Sequence, residues 1–217
     1  MRPLEAPPVK RTAVVLFGGP NSGKGTQAAH LTERHGGFYV GTGALLRTLM
    51  RKDGGANALL APILSKGDLA SDELVTQLVA DELSRGKAET FLVVDGYPRR
   101  SAQCAKLEGL LSPETQIRMI HLKISHRCMR ERAMRRHLCT ACGRTGDHSG
   151  VCQCGGETTR RPDDDSRVLL HRIGEFESQK DLILSYYRDR GILLEVNGER
   201  DAHAVSGDLD RLLDLVI

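Results

Sequence analysis

The stretch TAVVLFGGPNSGKGTQAAHLTERHG, residues 12–36, constrains the fold more than any other part of the chain. A continuous apolar run ends in glycines and passes directly into a segment of helical spacing closed by Gly36. This is the pattern of a parallel strand buried on both faces, a tight turn and a helix. Gly18, four residues, Gly23 and Lys24 have the spacing of a phosphate-binding loop. Such a turn gathers several backbone N–H groups at a helix N-terminus, whose partial positive charge adds to their pull on phosphate. Lys24 brings a mobile full charge to the outer phosphates. A glycine turn that merely joined strand to helix would need neither the lysine nor its spacing. Gly25 stands where these loops usually carry the hydroxyl that holds magnesium, so the nearest one is on Thr26. Magnesium is then expected to be held more through water and nucleotide oxygens than by direct protein ligands.

Further along, FYVG reads as a second strand, and TGALLRTLMRK, ANALLAPILSKG and SDELVTQLVADELSRG as helices, the last capped by Ser71 with Asp72 and Glu73 in its first turn. FLVVDG is another buried strand. It is followed by a helix from about Ser101, the strand IRMIHLKI and a helix from Ser125 to about Arg136. After a cysteine-rich interruption comes a long helix with Leu169, Ile173, Phe176, Ile183 and Tyr187 on one face, then the strand ILLEVNG and a last helix from about Asp201. Alternating strands and helices predict an α/β fold of three layers around a five-stranded parallel sheet, with ligands beyond the strands' carboxyl ends. The proline-containing residues 1–11 read as a flexible extension.

At 217 residues the chain is long enough for one core. A net charge of +3, spread along the chain, fits a small anionic ligand as well as nucleic acid and argues for neither. No apolar run approaches the roughly 20 residues that cross a bilayer, and there is no signal-peptide pattern. The expectation is a soluble protein without nucleic-acid or membrane partners. Of six cysteines, four lie between Cys139 and Cys154, which favours a metal site over disulfides and a reducing compartment, most simply the cytoplasm.

The loop GxPxxGKGT resembles that of nucleoside monophosphate kinases, adenylate kinases above all, in which the displaced threonine is part of the pattern. VVDGYPRR at 93–100 is similar to their strand-end sequence D-G-[FY]-P-R, and GTGALLR at 41–47 to their monophosphate-binding entry. Read physically, Asp95 ends a buried strand and can hold magnesium's waters, while Tyr97 and Pro98 fix the turn that presents Arg99 to phosphate. The resemblance covers nearly everything after residue 12. It implies reversible phosphoryl transfer, ATP + AMP to two ADP, by a domain over 12–217 with a helical monophosphate-binding region at 41–70 and a lid at 137–164.

At matching positions the resemblance implies an ATP site of Gly19, Pro20, Asn21, Ser22, Gly23, Lys24, Gly25 and Thr26, with Arg132 against the base, Arg136 against phosphate, and Arg200. It implies an AMP site of Thr42, Arg47, Gly96, Arg99 and Gln103, with Arg47 and Arg99 on phosphate and Gln103 on the adenine edge. Arg161 and Arg172 are implied to reach the transferring group. Lys24, Arg99, Arg136, Arg161 and Arg172 then form the catalytic set. Phosphoryl transfer needs alignment and charge neutralisation more than covalent help, so none of the eight histidines is recruited as a base. Gly41 replaces a serine, Ala44 an acidic residue, and DLASDELV departs from the usual K-L-V-[TS]-D-E, all around the monophosphate pocket. Kinases of uridine, cytidine or guanosine monophosphate therefore remain alternatives, as do a cysteine-ribbon nucleic-acid module and a degenerate nucleotide binder. Family members of this size are commonly monomers.

CTACGRTGDHSGVCQCGG resembles the zinc-bearing lid of many bacterial members of the family. Cys139-x2-Cys142 is an ordinary half-site, whereas Cys152-x-Cys154 is one residue tighter than usual. Four thiolates complete a closed, structural tetrahedral site; reduced free thiols, or His148 in place of one ligand, are the alternatives. Lid closure would keep water from accepting the phosphoryl group, drawn by Arg132, Arg136 and Arg161, with Asp163 and Asp164 as tethers or as a simple helix cap.

Overall fold

Strand β1 (Thr12–Phe17) is buried along its whole length because neighbours flank it on both edges and helices cover both faces. The protein is described by a computed structural model over residues 11–52, 60–142, 145–146, 150–160 and 164–215. Arg11, counted with the extension in sequence, is already tied to the sheet through its carbonyl, which accepts from the Gln116 N–H at 2.7 Å.

After β1 the chain runs through α1 (Lys24–His35), β2 (Phe38–Gly41), α2 (Thr42–Lys52), α3 (Leu60–Ser65), α4 (Asp72–Arg85), β3 (Phe91–Asp95), α5 (Ala102–Leu110), β4 (Gln116–Lys123) and α6 (His126–Arg135). Three short strands follow, β5 (His137–Cys139), β6 (Thr145–Gly146) and β7 (Thr158–Arg160), then α7 (Ser166–Arg188), β8 (Leu193–Asn197) and α8 (Ala202–Asp214). β2, β3, β1, β4 and β8, in that spatial order, form the parallel five-stranded sheet. The first four residues of the expected helix ANALLAPILSKG, 56–59, lie outside the described residues; α3 covers its continuation.

Alternation along β1 divides the core. Val14 and Leu16 join Ala28 and Leu31 of α1 and Val205, Leu209 and Leu213 of α8 on one face. Ala13, Val15 and Phe17 meet Val79 of α4, Leu107 of α5, and Ile183 and Tyr187 of α7 on the other. Each fully buried leucine contributes about 2 kcal/mol relative to an exposed one. The helix ends follow the sequence signals: Ser71 Oγ accepts from the Leu74 N–H, and Gly36 closes α1 at φ 60°. The acidic cap of α7 is Asp165, whose carboxylate accepts from the Arg167 N–H, rather than Asp164. Asp163 lies outside the described residues.

β5, β6 and β7 make a separate antiparallel ribbon in the order β6, β5, β7. It stands between α6 and α7 in the chain, over the part of the sequence read as a lid.

Candidate functional site

The loop after β1 lies at the carboxyl edge of the sheet, where Leu16 is paired with Asp95 and Phe17 with His121. Lys24 opens α1, and its ammonium folds back over the loop, donating to the carbonyls of Gly18 at 2.7 Å and Gly19 at 2.8 Å and to Ser22 Oγ at 3.1 Å. Burial lowers this ammonium to about 8; Asp95 opposes the shift, while Arg99, Arg172 and Arg136 add to it. Three guanidinium groups from distant parts of the chain thus act on one lysine. Asn21, at φ 60°, anchors the loop by donating from Nδ2 to the Met129 carbonyl at 3.1 Å. Pro20 lines the cleft in front of the loop, Ser22 is buried, and Gly25 and Thr26 are exposed.

Facing the loop is Asp95, at the end of β3. A side chain at position 25 would point at it, since a Cβ there would stand 3.9 Å from Asp95 Oδ2. The Tyr39 hydroxyl donates to the same oxygen at 3.1 Å. A carboxylate opposite the phosphate loop, with the Thr26 hydroxyl exposed on α1, is an all-oxygen donor set, the kind that suits magnesium and its retained waters.

Past Asp95 the chain turns at Gly96 and through a cis Tyr97–Pro98 bond to Arg99. Thr42 Oγ1 donates to the Gly96 carbonyl at 2.9 Å, and Arg99 Nε donates to it at 3.0 Å. Gln103 is buried, its Oε1 accepting from the Arg99 N–H at 2.7 Å and its Nε2 donating to Asp72 Oδ1 at 2.9 Å. Arg100 reaches the same Asp72 oxygen at 2.7 Å. The residue expected at a base edge therefore has both ends of its amide engaged, and Asp72, seen in sequence only as a first-turn acid, orients it. Arg47 lies on α2 beside Gly43, with Nη1 3.2 Å from where a Cβ at 43 would stand.

Two clefts meet here. The larger, open to solvent, spans about 600 Å³ between the loop, Lys24, Arg99, Arg172 and Phe176. The second, about 330 Å³, lies between Thr42, Leu64, Val75 and Gln103. Leu69, Gly96 and Arg99 border both. Phe176 was legible only as a core position of α7; it forms a cleft wall as well.

Arg132 spans from the loop to the β8–α8 turn, with Nη1 3.5 Å from the Asn21 carbonyl and Nη2 donating to the carbonyls of Gly198 at 2.7 Å and Arg200 at 3.2 Å. Arg200 presents its carbonyl here, while its side chain turns to Asp208 at 2.5 Å. Arg136 grips Asp164 at two points, 2.8 Å from Nε and 2.6 Å from Nη2. Arg161 and His148 lie outside the described residues.

In the ribbon, the Sγ atoms of Cys139, Cys142, Cys152 and Cys154 all lie within 4.8 Å of one another, with Cys139 and Cys154 at 3.5 Å and Cys142 and Cys152 at 3.7 Å. A tetrahedron of sulfurs at zinc bonding distance has edges of about 3.8 Å. The short C-x-C half is therefore no obstacle, because the turn after Cys152, closed by the Gly155 N–H on the Cys152 carbonyl, brings Cys154 back to Cys139. The Cys142 N–H donates to Cys139 Sγ at 3.4 Å; this bond most, with hydrogen bonds from the Ala141 N–H and the Cys142 and Cys154 thiols, lowers that thiol to about 6 against the effect of burial. The four thiols fit a closed, thiophilic metal site.

The sheet order, the phosphate loop with its convergent arginines and the four-thiol ribbon define a nucleotide phosphotransferase of the phosphate-loop α/β class. A family model described as "Adenylate kinase" matches residues 16–192. Among curated relatives named "Adenylate kinase", the protein of Novosphingobium aromaticivorans is 34% identical over 212 residues, covering 92% of this chain and 98% of that one. Those of Erythrobacter litoralis and a Geobacillus species are 32% and 31% identical, each covering 92% of this chain and 99% and 97% of their own. The chain belongs to the adenylate kinase family.

Proposed function

We propose that the protein transfers the terminal phosphoryl group of ATP to AMP, giving two ADP, with the residues above in the following roles. The observation that carries this reading is the junction of the two clefts at Gly96 and Arg99, with Lys24 and Arg172 on one side and Thr42 and Gln103 on the other. Two phosphate chains laid end to end through that junction would bring a donor and an acceptor oxygen together.

Residues 19–26 hold the ATP phosphates through backbone N–H groups, and Lys24 leaves the Gly18 and Gly19 carbonyls to meet their outer oxygens. Arg132 and the Arg200 carbonyl border the base. Arg47 and Arg99 fix the AMP phosphate, with Thr42 and Gly96 shaping its entry and Gln103 facing the base. Arg136, Arg161 and Arg172 neutralise charge on the transferring group, an electrostatic contribution worth about 10²-fold or more per well-placed donor. The acceptor oxygen is already ionised at neutral pH, so no side chain removes a proton. Magnesium brought in with the nucleotide would offset phosphate charge, and Asp95 is the residue that would hold its waters. Zinc on the four cysteines would stiffen a ribbon too small for a core of its own. The monophosphate region 41–70 and the lid 137–164 are read as the parts that close over the substrates. Four thiols kept reduced fit the cytoplasm, and a monomer is the expected form.

A second reading, another nucleoside monophosphate as acceptor, is favoured by Leu69 and Ala70 lining the second cleft within the divergent DLASDELV segment. Initial rates with ATP and AMP, GMP, CMP or UMP decide between them. ADP formed fastest from AMP is the expected result; a faster rate with another acceptor would replace AMP, and no transfer to any of them by folded protein would sink the whole proposal.

A further inference from the structure

Tyr39 precedes Gly41 by two residues on edge strand β2, so the two positions face the same side of the sheet. Gly41 is paired across the ladder with Asp95, and Tyr39 with Val93. The tyrosine ring leans along its strand over the glycine: a Cβ at 41 would stand 2.2 Å from the Tyr39 hydroxyl oxygen and 2.4 Å from Cζ. From that place the hydroxyl donates to Asp95 Oδ2 at 3.1 Å. The space that the strand would give to a side chain opposite Asp95 is thus filled from two residues upstream, and filled by a hydrogen-bond donor. Burial, then the Asp95 charge and the hydrogen bond to it, push the phenol well above its ordinary range, so it remains a donor at any neutral pH.

We infer that Tyr39 is a positioning residue for Asp95, fixing the rotation of its carboxylate through this one hydroxyl, and that a side chain at position 41 would have to displace the ring from that place. The inference rests on the reading of Asp95 as the holder of magnesium's waters. Partners bonded to a metal's direct ligands typically alter metal affinity or activity by about 10- to 100-fold when lost, and Tyr39, acting through a residue that reaches the metal by water, is expected at the low end of that range. The glycine at 41, a departure from the resembling sequences, and the tyrosine at 39 become one feature: either a large residue at 39 with nothing at 41, or a side chain at 41 with a smaller residue at 39.

The test is Mn²⁺ binding, followed by electron paramagnetic resonance, to protein saturated with a non-hydrolysable ATP analogue, beside the Mg²⁺ dependence of turnover and thermal melting. Tyr39→Phe keeps the ring and is expected to weaken Mn²⁺ and raise the Mg²⁺ requirement about tenfold, with the KM for AMP and the melting temperature nearly unchanged. Asp95→Asn is expected to lose more, and Tyr39→Phe added to it to cost less than about twofold further, since the two act as one unit. Gly41→Ser is expected to melt early alone, but to fold in a Tyr39→Val background and recover most of the metal affinity that Tyr39→Val loses. Native metal affinity in Tyr39→Phe, beside a clear loss in Asp95→Asn, overturns the role of Tyr39. Native affinity in Asp95→Asn overturns the reading of Asp95 and this inference with it. A Gly41→Ser protein as stable as the native one overturns the steric half.

Discussion

Arg136 holds Asp164 in a two-point fork, and the Asp164 side chain is only 2% exposed while that of Arg136 is 18% exposed. An arginine read as facing ATP phosphate is thereby bound to a carboxylate at the base of the ribbon. A phosphate approaching Arg136 would compete with that carboxylate. Asp164→Asn is expected to lower unfolding free energy by about 2 kcal/mol, from loss of charge-assisted bonds, while binding an ATP analogue at least as tightly as the native protein. Calorimetric melting and titration check the two halves. Weaker binding would mean that Asp164 aims Arg136 at phosphate instead of holding it back.

Replacing the fork itself separates charge from geometry. Arg136→Lys keeps one positive charge but loses the planar pair of donors, so turnover is expected to fall by about 10²-fold or more with the sheet's circular dichroism intact. Steady-state kinetics with both substrates measure it, and near-native turnover would remove Arg136 from the mechanism.

The ammonium of Lys24 is lowered from 10.5 to about 8. Between those values the unfolded chain keeps a proton that the folded protein sheds. This group therefore makes stability rise with pH across that window; below it both states are charged and the burial cost is present in full. Nucleotide phosphate favours the charged form. ATP binding near pH 8 is expected to take up about half a proton, falling toward zero at pH 6. Calorimetry in buffers of different ionisation enthalpy reads the uptake, which should vanish in Lys24→Met.

Gly96 has φ +82°, and a Cβ on it would stand 2.5 Å from Thr42 Oγ1. Gly96→Ala is expected to cost about 1–3 kcal/mol from backbone strain alone. It would also push Thr42 off the Gly96 carbonyl, raising the KM for AMP more than that for ATP. Denaturant melts and substrate titrations give the two numbers.

Removal of metal from the four thiols is expected to release one equivalent of zinc and lower the melting temperature, with the parallel sheet retained and turnover reduced. Elemental analysis before and after chelation, paired with melting curves, checks this. No bound metal and an unchanged melting curve would leave the thiols free.

Local signals were legible wherever one short segment determines its own conformation. β1, the loop and α1, the Ser71 cap and the Gly36 stop follow from a buried run, a glycine spacing and helix-end chemistry. Also readable were Lys24, Asp95 and Arg99 as members of one region, because strand ends converge on one edge of a parallel sheet. What sequence could not supply was pairing at long range. Asp72 and Gln103 are 31 residues apart, and Arg136 and Asp164 are 28 apart; nothing in either neighbourhood names its partner. The resemblance implied Arg200 as a site residue, but nothing in the sequence says that its carbonyl accepts from Arg132. Tyr39 carried a weak signal, an aromatic residue two before a glycine on an alternating strand, which gains meaning only when β3 brings Asp95 alongside. The ribbon's strands escaped notice because each is two or three residues long.

Among the described residues the cysteine ribbon shares no ladder with the parallel sheet. The ribbon follows α6 and precedes α7 in the chain, so the lid movement proposed for it would leave every rung of the platform beneath intact. On that reading, substitutions at the ribbon's base, where Arg136 grips Asp164, would retune the cycling speed while the foundation keeps its shape.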